Sequence, residues 1–124
     1  MYPLNRNRRL RVNETLRSLI RETIITPNDF LVPLFVIEGQ NKKEEIQSMP
    51  NYFKMSIDVL LKEVEALYSL GLKSILLFAQ VDEKLKDNYG SEAINKDGLM
   101  QRAIKSIKDK FPSLLVMSDV ALDP

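Results

Sequence analysis

The side chains best placed for chemistry are polar residues that fall where apolar runs end. Glu38 follows the run 30–37, while Gln80, Asp82 and Glu83 follow the run 74–79. Asp119 and Asp123 close a third run that begins at Leu114. In parallel α/β folds, functional groups gather at the C-terminal ends of the strands, because the loops converge there above a rigid scaffold. Asp119 stands out on this rule. A carboxylate near the end of a buried strand is desolvated on one side and needs a cation or hydrogen bonds to stay ionised. The alternative is that it caps a helix or accepts from loop amides. Asp123 lies in a Leu-Asp-Pro turn, where Asp commonly serves as a turn former. Glu38, beside Gly39, reads as a solvated loop residue. The charged stretch 80–97 also reads as a solvated loop, long enough to serve as a lid or partner contact.

What is missing narrows the chemistry. The 124 residues contain no Cys and no His. A disulfide framework, a thiolate metal site and a histidine general base are therefore excluded within them. No Gly-rich phosphate loop or nucleophile elbow occurs. The net charge of +1 gives no global reason to expect nucleic acid or acidic lipid as a partner. No apolar run approaches the length of a membrane span, and arginines occupy the region where a signal peptide needs an apolar core. A soluble cytoplasmic protein is expected. The arginines are unevenly spread: Arg6, Arg8, Arg9, Arg11, Arg17 and Arg21 precede residue 22, and only Arg102 follows. Such a cluster could be a solvated arm, a phosphate contact, or an arm that pairs with carboxylates on another subunit.

The elements that must position these groups follow from periodicity. Residues 1–12 show no period and read as an extended arm. Asn13 is a candidate N-cap for a short helix of about ten residues, and Thr26-Pro27 opens one or two further helical turns. The run 30–37 suits a strand buried on both faces, as in parallel sheets. Residues 38–55 read as a long polar connection. Ser56 is a candidate N-cap for a helix with Ile57, Leu60, Leu61, Val64, Leu67 and Tyr68 on one side, and Gly71 is placed for its C-terminal cap. Ser74–Ala79 predicts a second buried strand. A helix with Met100, Ala103, Ile104 and Ile107 on one stripe stops at Pro112. The third strand starts at Leu114 and runs towards Leu122. The order β-α-β-α-β predicts an α/β fold with parallel strands and right-handed crossovers. Three such strands leave long unpaired edges, so a truncated fold is expected.

Several phrases together resemble one family. They are Arg8-Arg9-Leu10-Arg11 with the helix 16–22, Leu34-Phe35-Val36-Ile37-Glu38-Gly39, and Ser48-Met49-Pro50 with Ser56-Ile57-Asp58. Gly90-Ser91-Glu92-Ala93, Asn95, Asp97-Gly98-Leu99 with Gln101-Arg102-Ala103-Ile104, and Ser118-Asp119-Val120-Ala121-Leu122-Asp123-Pro124 complete the set. In this order they are similar to the porphobilinogen synthases (5-aminolevulinate dehydratases), which condense two 5-aminolevulinate molecules into porphobilinogen for haem and other tetrapyrroles. The resemblance implies an N-terminal arm with short helices over 1–29. It makes 30–124 the first three strands and two helices of a TIM (β/α)8 barrel. It also implies a homo-oligomer, typically an octamer, with Arg8, Arg9 and Arg11 in the subunit-contact arm. The family's two Schiff-base lysines would lie beyond Pro124, so the 124 residues alone are expected to be inactive. Asp119 matches a family aspartate near the second substrate molecule and takes a substrate-orienting or charge-stabilising role. Where the zinc-dependent branch has Cys, this chain has Ala121 and Asp123. Catalytic Zn²⁺ is thereby disfavoured and Mg²⁺ favoured, with Asp123 a candidate ligand, although the family's allosteric magnesium site draws mainly on later residues.

Two readings from other classes compete. A receiver-like signalling domain would use Asp119 as phosphoacceptor, but it needs a pair of acidic residues after the first strand, where only Glu38 is offered, and about five strands. A nucleic-acid-binding arm would rest on the arginines alone, without the interleaved aromatics of single-strand binders.

Overall fold

The computed structural model describes residue 4 and residues 8–120. Its first elements are local and lightly packed. A single 3₁₀ turn at Arg9–Arg11 precedes helix α1, Glu14–Leu19. Asn13 caps α1 as expected, its Oδ1 accepting from the Leu16 amide at 2.8 Å. The helix is six residues, shorter than the ten expected, and buries none of them. A short helix without a packed face gains little beyond its capping and the Glu14–Arg17 ion pair at 2.5 Å. Thr26 and Asp29 then form a reciprocal capping box around a 3₁₀ turn with Pro27 at its start.

Strand β1, Val32–Ile37, follows. Its Pro33 carbonyl accepts from the Tyr52 hydroxyl at 2.5 Å, and Pro33 lies ahead of the β1 residues, Phe35 and Val36, that pair with the strand following Tyr52. The connection expected over 38–55 is instead a small antiparallel hairpin, β2 (Lys43–Glu45) and β3 (Phe53–Met55). Both strands are three residues long and β2 is wholly exposed, too short and polar for alternation to reveal them. Asn41 and Asn51 take positive φ values of 52° and 64°, the local reversals that fold this segment back.

Helix α2, Ile57–Ser69, buries Leu60 and Val64. It ends in a Schellman motif. Gly71 adopts φ +94°, and the Leu72 and Gly71 amides donate to the Leu67 and Tyr68 carbonyls. Strand β4, Ser74–Gln80, pairs in parallel with all of β1. Helix α3, Leu99–Lys110, buries Leu99, Ala103 and Ile107, and Lys108 Nζ donates to the Pro112 and Leu114 carbonyls just beyond its end. Strand β5, Leu115–Ser118, pairs in parallel with β4. The α/β expectation holds, with the hairpin added: the sheet order is β2-β3-β1-β4-β5.

The sheet has two unlike faces. Leu34 and Val36 of β1 and Ile75 and Leu77 of β4 form one core with Leu60 and Val64 of α2 and Ala103 and Ile107 of α3. The opposite face carries Phe35 and Phe78, stacked at 5.3 Å, with Tyr52 edge-on to Phe35 at 5.9 Å. Leu115 and Met117 extend this face and are 53% and 42% exposed. The strands are therefore covered on one face, not on both as the apolar runs suggested. Among the described residues, no helix is long and apolar enough to cross a membrane.

Candidate functional site

The C-terminal ends of β4 and β5 open into a cleft of about 510 Å³. Phe78 and Ala79 form its floor, Met100 and Gln101 of α3 one side, and Glu92 and Asp119 bring carboxylates to its lining. The sheet places Asp119 directly. The register Leu77↔Ser118 sets it one residue past β5, beside Phe78, and its amide reaches the Leu77 carbonyl at 3.4 Å. Asp119 is exposed here. The desolvation expected from a buried strand does not apply, because β5 is the outer strand of the sheet and only its Val116 is even partly buried.

The other strand-end residues serve different purposes. Glu38 is exposed, as a solvated loop residue should be, and its carboxylate also pairs with the Arg102 guanidinium on α3. Asp82 caps the 3₁₀ turn at Glu83–Leu85, accepting from the Lys84 amide at 3.0 Å, and Glu83 pairs with Lys86 at 2.9 Å. Gln80 lines a separate hollow with Phe35, Lys54 and Phe78 over the open face of the sheet. Arg8, Arg9 and Arg11 are exposed on the N-terminal segment and line none of the cleft. Asp123 and Ala121 lie outside the described residues.

Sequence reasoning missed Glu92 and Gln101 as cleft residues. Their signal lies in the loop before α3, which is built from successive turns. The Ala93 amide donates to the Gly90 carbonyl at 3.1 Å, that of Asn95 to Glu92 at 3.1 Å, and that of Gly98 to Asn95 at 3.0 Å. Asp87 anchors the loop's start, accepting from the Tyr89 and Ser91 amides at 2.9 and 3.0 Å. These bonds, that of Ser91 foremost, hold the Asp87 carboxyl below the ordinary carboxylate range.

Among the described residues, no group of three or more Cys, His, Asp or Glu side chains could hold a metal ion. The described residues thus do not supply a cluster of three such donors for the Mg²⁺ expected from the resemblance. A receiver-like architecture fits poorly as well. Helices α2 and α3 share one face of the sheet, and β3 is reached by a hairpin rather than by a helix on the other face.

Comparison with known proteins agrees with the geometry. Residues 4–124 match the sequence model of the family described as delta-aminolevulinic acid dehydratase. A delta-aminolevulinic acid dehydratase of Chlamydia pneumoniae is 44% identical over 119 residues, covering 96% of this chain and 36% of that protein. One from Helicobacter pylori (strain J99) is 49% identical over 116 residues, covering 93% of this chain and 35% of that protein. The chain therefore spans about a third of the length of these curated relatives. Among solved structures, the delta-aminolevulinic acid dehydratase (porphobilinogen synthase) of Toxoplasma gondii ME49, in complex with the reaction product porphobilinogen, superposes with a TM-score of 0.88. That match is 41% identical and covers 95% of this chain and 33% of that one. With the family pattern running from residue 4 to residue 124 and the strands and helices following a solved member, the chain belongs to the delta-aminolevulinic acid dehydratase family.

Proposed function

We propose that this chain forms the N-terminal arm, residues 1–29, and the opening strands, residues 30–124, of a porphobilinogen synthase. The observation that carries this reading is the close superposition on a product-bound member of the family. The sheet supports the barrel. β1, β4 and β5 follow one another in a single direction, both crossover helices lie on one face, and the other face is apolar. Parallel sheets are normally covered on both faces. A face lined by Phe35 and Phe78 with helices only on the far side suits the filled interior of a (β/α)8 barrel, with Asp119 at its catalytic C-terminal end.

The reaction joins two 5-aminolevulinate molecules with loss of two waters. Each molecule carries an ammonium group, a ketone and a carboxylate. The ketones would be activated by lysine amines on later strands, which attack only when deprotonated. Asp119 would act on the other charge type: a carboxylate beside the substrate's ammonium group holds it in place and stabilises positive charge as bonds rearrange. The arm, with Arg8, Arg9 and Arg11, would pair with a neighbouring subunit in an octamer, and Mg²⁺ would be the metal of the whole protein, acting in the cytoplasm.

The test is to supply 5-aminolevulinate to the full-length protein and measure porphobilinogen. Formation by the full-length protein and none by the 124-residue chain is expected. Asp119→Ala in the full-length protein is expected to lower kcat/KM by roughly a hundredfold or more, as for loss of a charge-stabilising group. No product from the intact protein would overturn the reading, and an unchanged Asp119→Ala variant would remove Asp119 from the site.

A further inference from the structure

The loop before α3 supplies one wall of the cleft, through Glu92, Ala93 and Ile94. Two consecutive residues in the first turn of α3 grip that loop from different points. Gln101 lines the cleft and its Nε2 donates to the Ala93 carbonyl at 3.1 Å. Arg102 donates through Nε to the Asp97 carbonyl at 2.8 Å, while its Nη2 meets the Glu38 carboxylate. Glu38 lies one residue past β1. The loop is thus tied to α3 at Ala93 and at Asp97, and through the second tie to the mouth of the sheet. Gly98 shows how close the fit is. A Cβ there would lie 2.6 Å from Gln101 Oε1 and 3.0 Å from the Asn95 carbonyl oxygen.

We infer that Gln101 and Arg102 are positioning residues that set one wall of the cleft that Asp119 also lines, and that they act on substrate binding rather than on the bond-making steps. This rests on the synthase reading for the identity of the substrate. Neither residue offers a nucleophile, and Arg102 is turned to Glu38 and Asp97 and is not among the cleft-lining residues. Their influence on a ligand passes through the loop they hold. Losing such a hold weakens ground-state and transition-state binding alike, which raises KM and leaves kcat nearly unchanged.

The experiment uses the full-length protein with Gln101→Leu, Arg102→Leu and Arg102→Lys, and reads two quantities. One is amide hydrogen exchange over residues 90–98, where the Ala93, Asn95 and Gly98 amides are bonded within the loop. The other is KM and kcat for 5-aminolevulinate. Both leucine variants are expected to speed loop exchange roughly tenfold. KM is expected to rise by about the same factor, with kcat within about twofold. Arg102→Lys keeps the charge facing Glu38 but loses the planar fork that reaches two acceptors at once, and is expected to fall between wild type and Arg102→Leu. Glu38→Gln, an exposed change, supplies the comparison if a leucine variant does not fold, with a smaller rise in loop exchange expected. Unchanged exchange in the folded variants would overturn the clamp. Faster exchange with unaltered KM, or a loss confined to kcat, would overturn its role in binding. If the wild-type protein made no porphobilinogen, the synthase reading would fall by itself, and the exchange comparison would still decide whether the clamp exists.

Discussion

Asp58 secures the turn after β1 by accepting from two directions. The Ser56 hydroxyl donates to its Oδ1 at 2.6 Å and the Asn41 amide to its Oδ2 at 2.9 Å. Ser56, fully buried, also accepts from the Lys42 amide at 3.0 Å. It stands at the N-cap position but makes no capping bond. Its hydroxyl joins the hairpin to the helix instead, a partnership invisible in a local sequence window. The Ser56 bond, then the Asn41 amide, hold the Asp58 carboxyl below its ordinary value against the opposing effect of burial. A lowered folded-state pKa contributes stability that is present above the unfolded value of about 3.9 and is lost as pH falls through the folded value. In the full-length protein, Asp58→Asn is expected to flatten the decline of the urea midpoint between about pH 5 and pH 2. An acid limb as steep as that of wild type would show that these bonds add nothing to stability. Asp29 and Asp87 share the sign, through Thr26 and Ser91 respectively. The place of Asp119 at the strand-end cleft was legible from sequence position alone, whereas those of Glu92 and Gln101 were not, because their convergence depends on a loop of turns with no periodicity.

The elements legible in the sequence are those whose burial imposes a period. Leu60 and Val64 on α2, and Ala103 and Ile107 on α3, fall on the expected stripes and are buried against the sheet, with Met100 and Ile104 partly buried; Leu99, outside the expected stripe, is buried as well. β1 and β4 are runs of apolar residues because Leu34, Val36, Ile75 and Leu77 meet the helices while Phe35 and Phe78 meet each other. The hairpin escaped notice for the opposite reason: Lys43–Glu45 is exposed on every side and its strand order arises from pairing, not burial. The Schellman motif after α2 gives a sharp test. Gly71 sits at φ +94°, and the nearest atom to an added Cβ is the Pro27 side chain at 3.5 Å. Space is adequate there and the strain is in the backbone. Gly71→Ala is expected to destabilise the full-length protein by about 1 kcal/mol or slightly more, seen as a lower urea midpoint at constant m. A neutral effect would mean that the turn can adopt another cap. Ile107→Ala, at a fully buried position between α3 and the sheet, is expected to cost roughly 2–5 kcal/mol.

At the scale of the whole molecule, two of the apolar surfaces formed by the described residues stand uncovered and differ in character. One is the sheet face of Phe35, Phe78, Leu115 and Met117, bounded by the free edge of β5. The other lies where the N-terminal segment meets the end of α2: Ile25, Phe30, Leu67 and Leu70 border a hollow of about 320 Å³. Ile25 and Leu70 there are 72% and 76% exposed, and Ile24, next in the chain to Ile25, is 68% exposed. Unpaired strand edges and contiguous apolar patches promote association. The 124-residue chain by itself is therefore expected to self-associate as concentration rises, read by sedimentation velocity; a monomer throughout would show that these surfaces are already satisfied. The full-length protein separates the two surfaces. If later strands cover the sheet face, the N-terminal patch remains available to hold subunits together, beside the arginine-bearing arm. Deleting residues 1–25 from the full-length protein should then lower its assembly state while leaving each subunit folded, as read by light scattering and circular dichroism. An unchanged assembly would place the subunit contact elsewhere and leave the arginines of the arm without an assembly role.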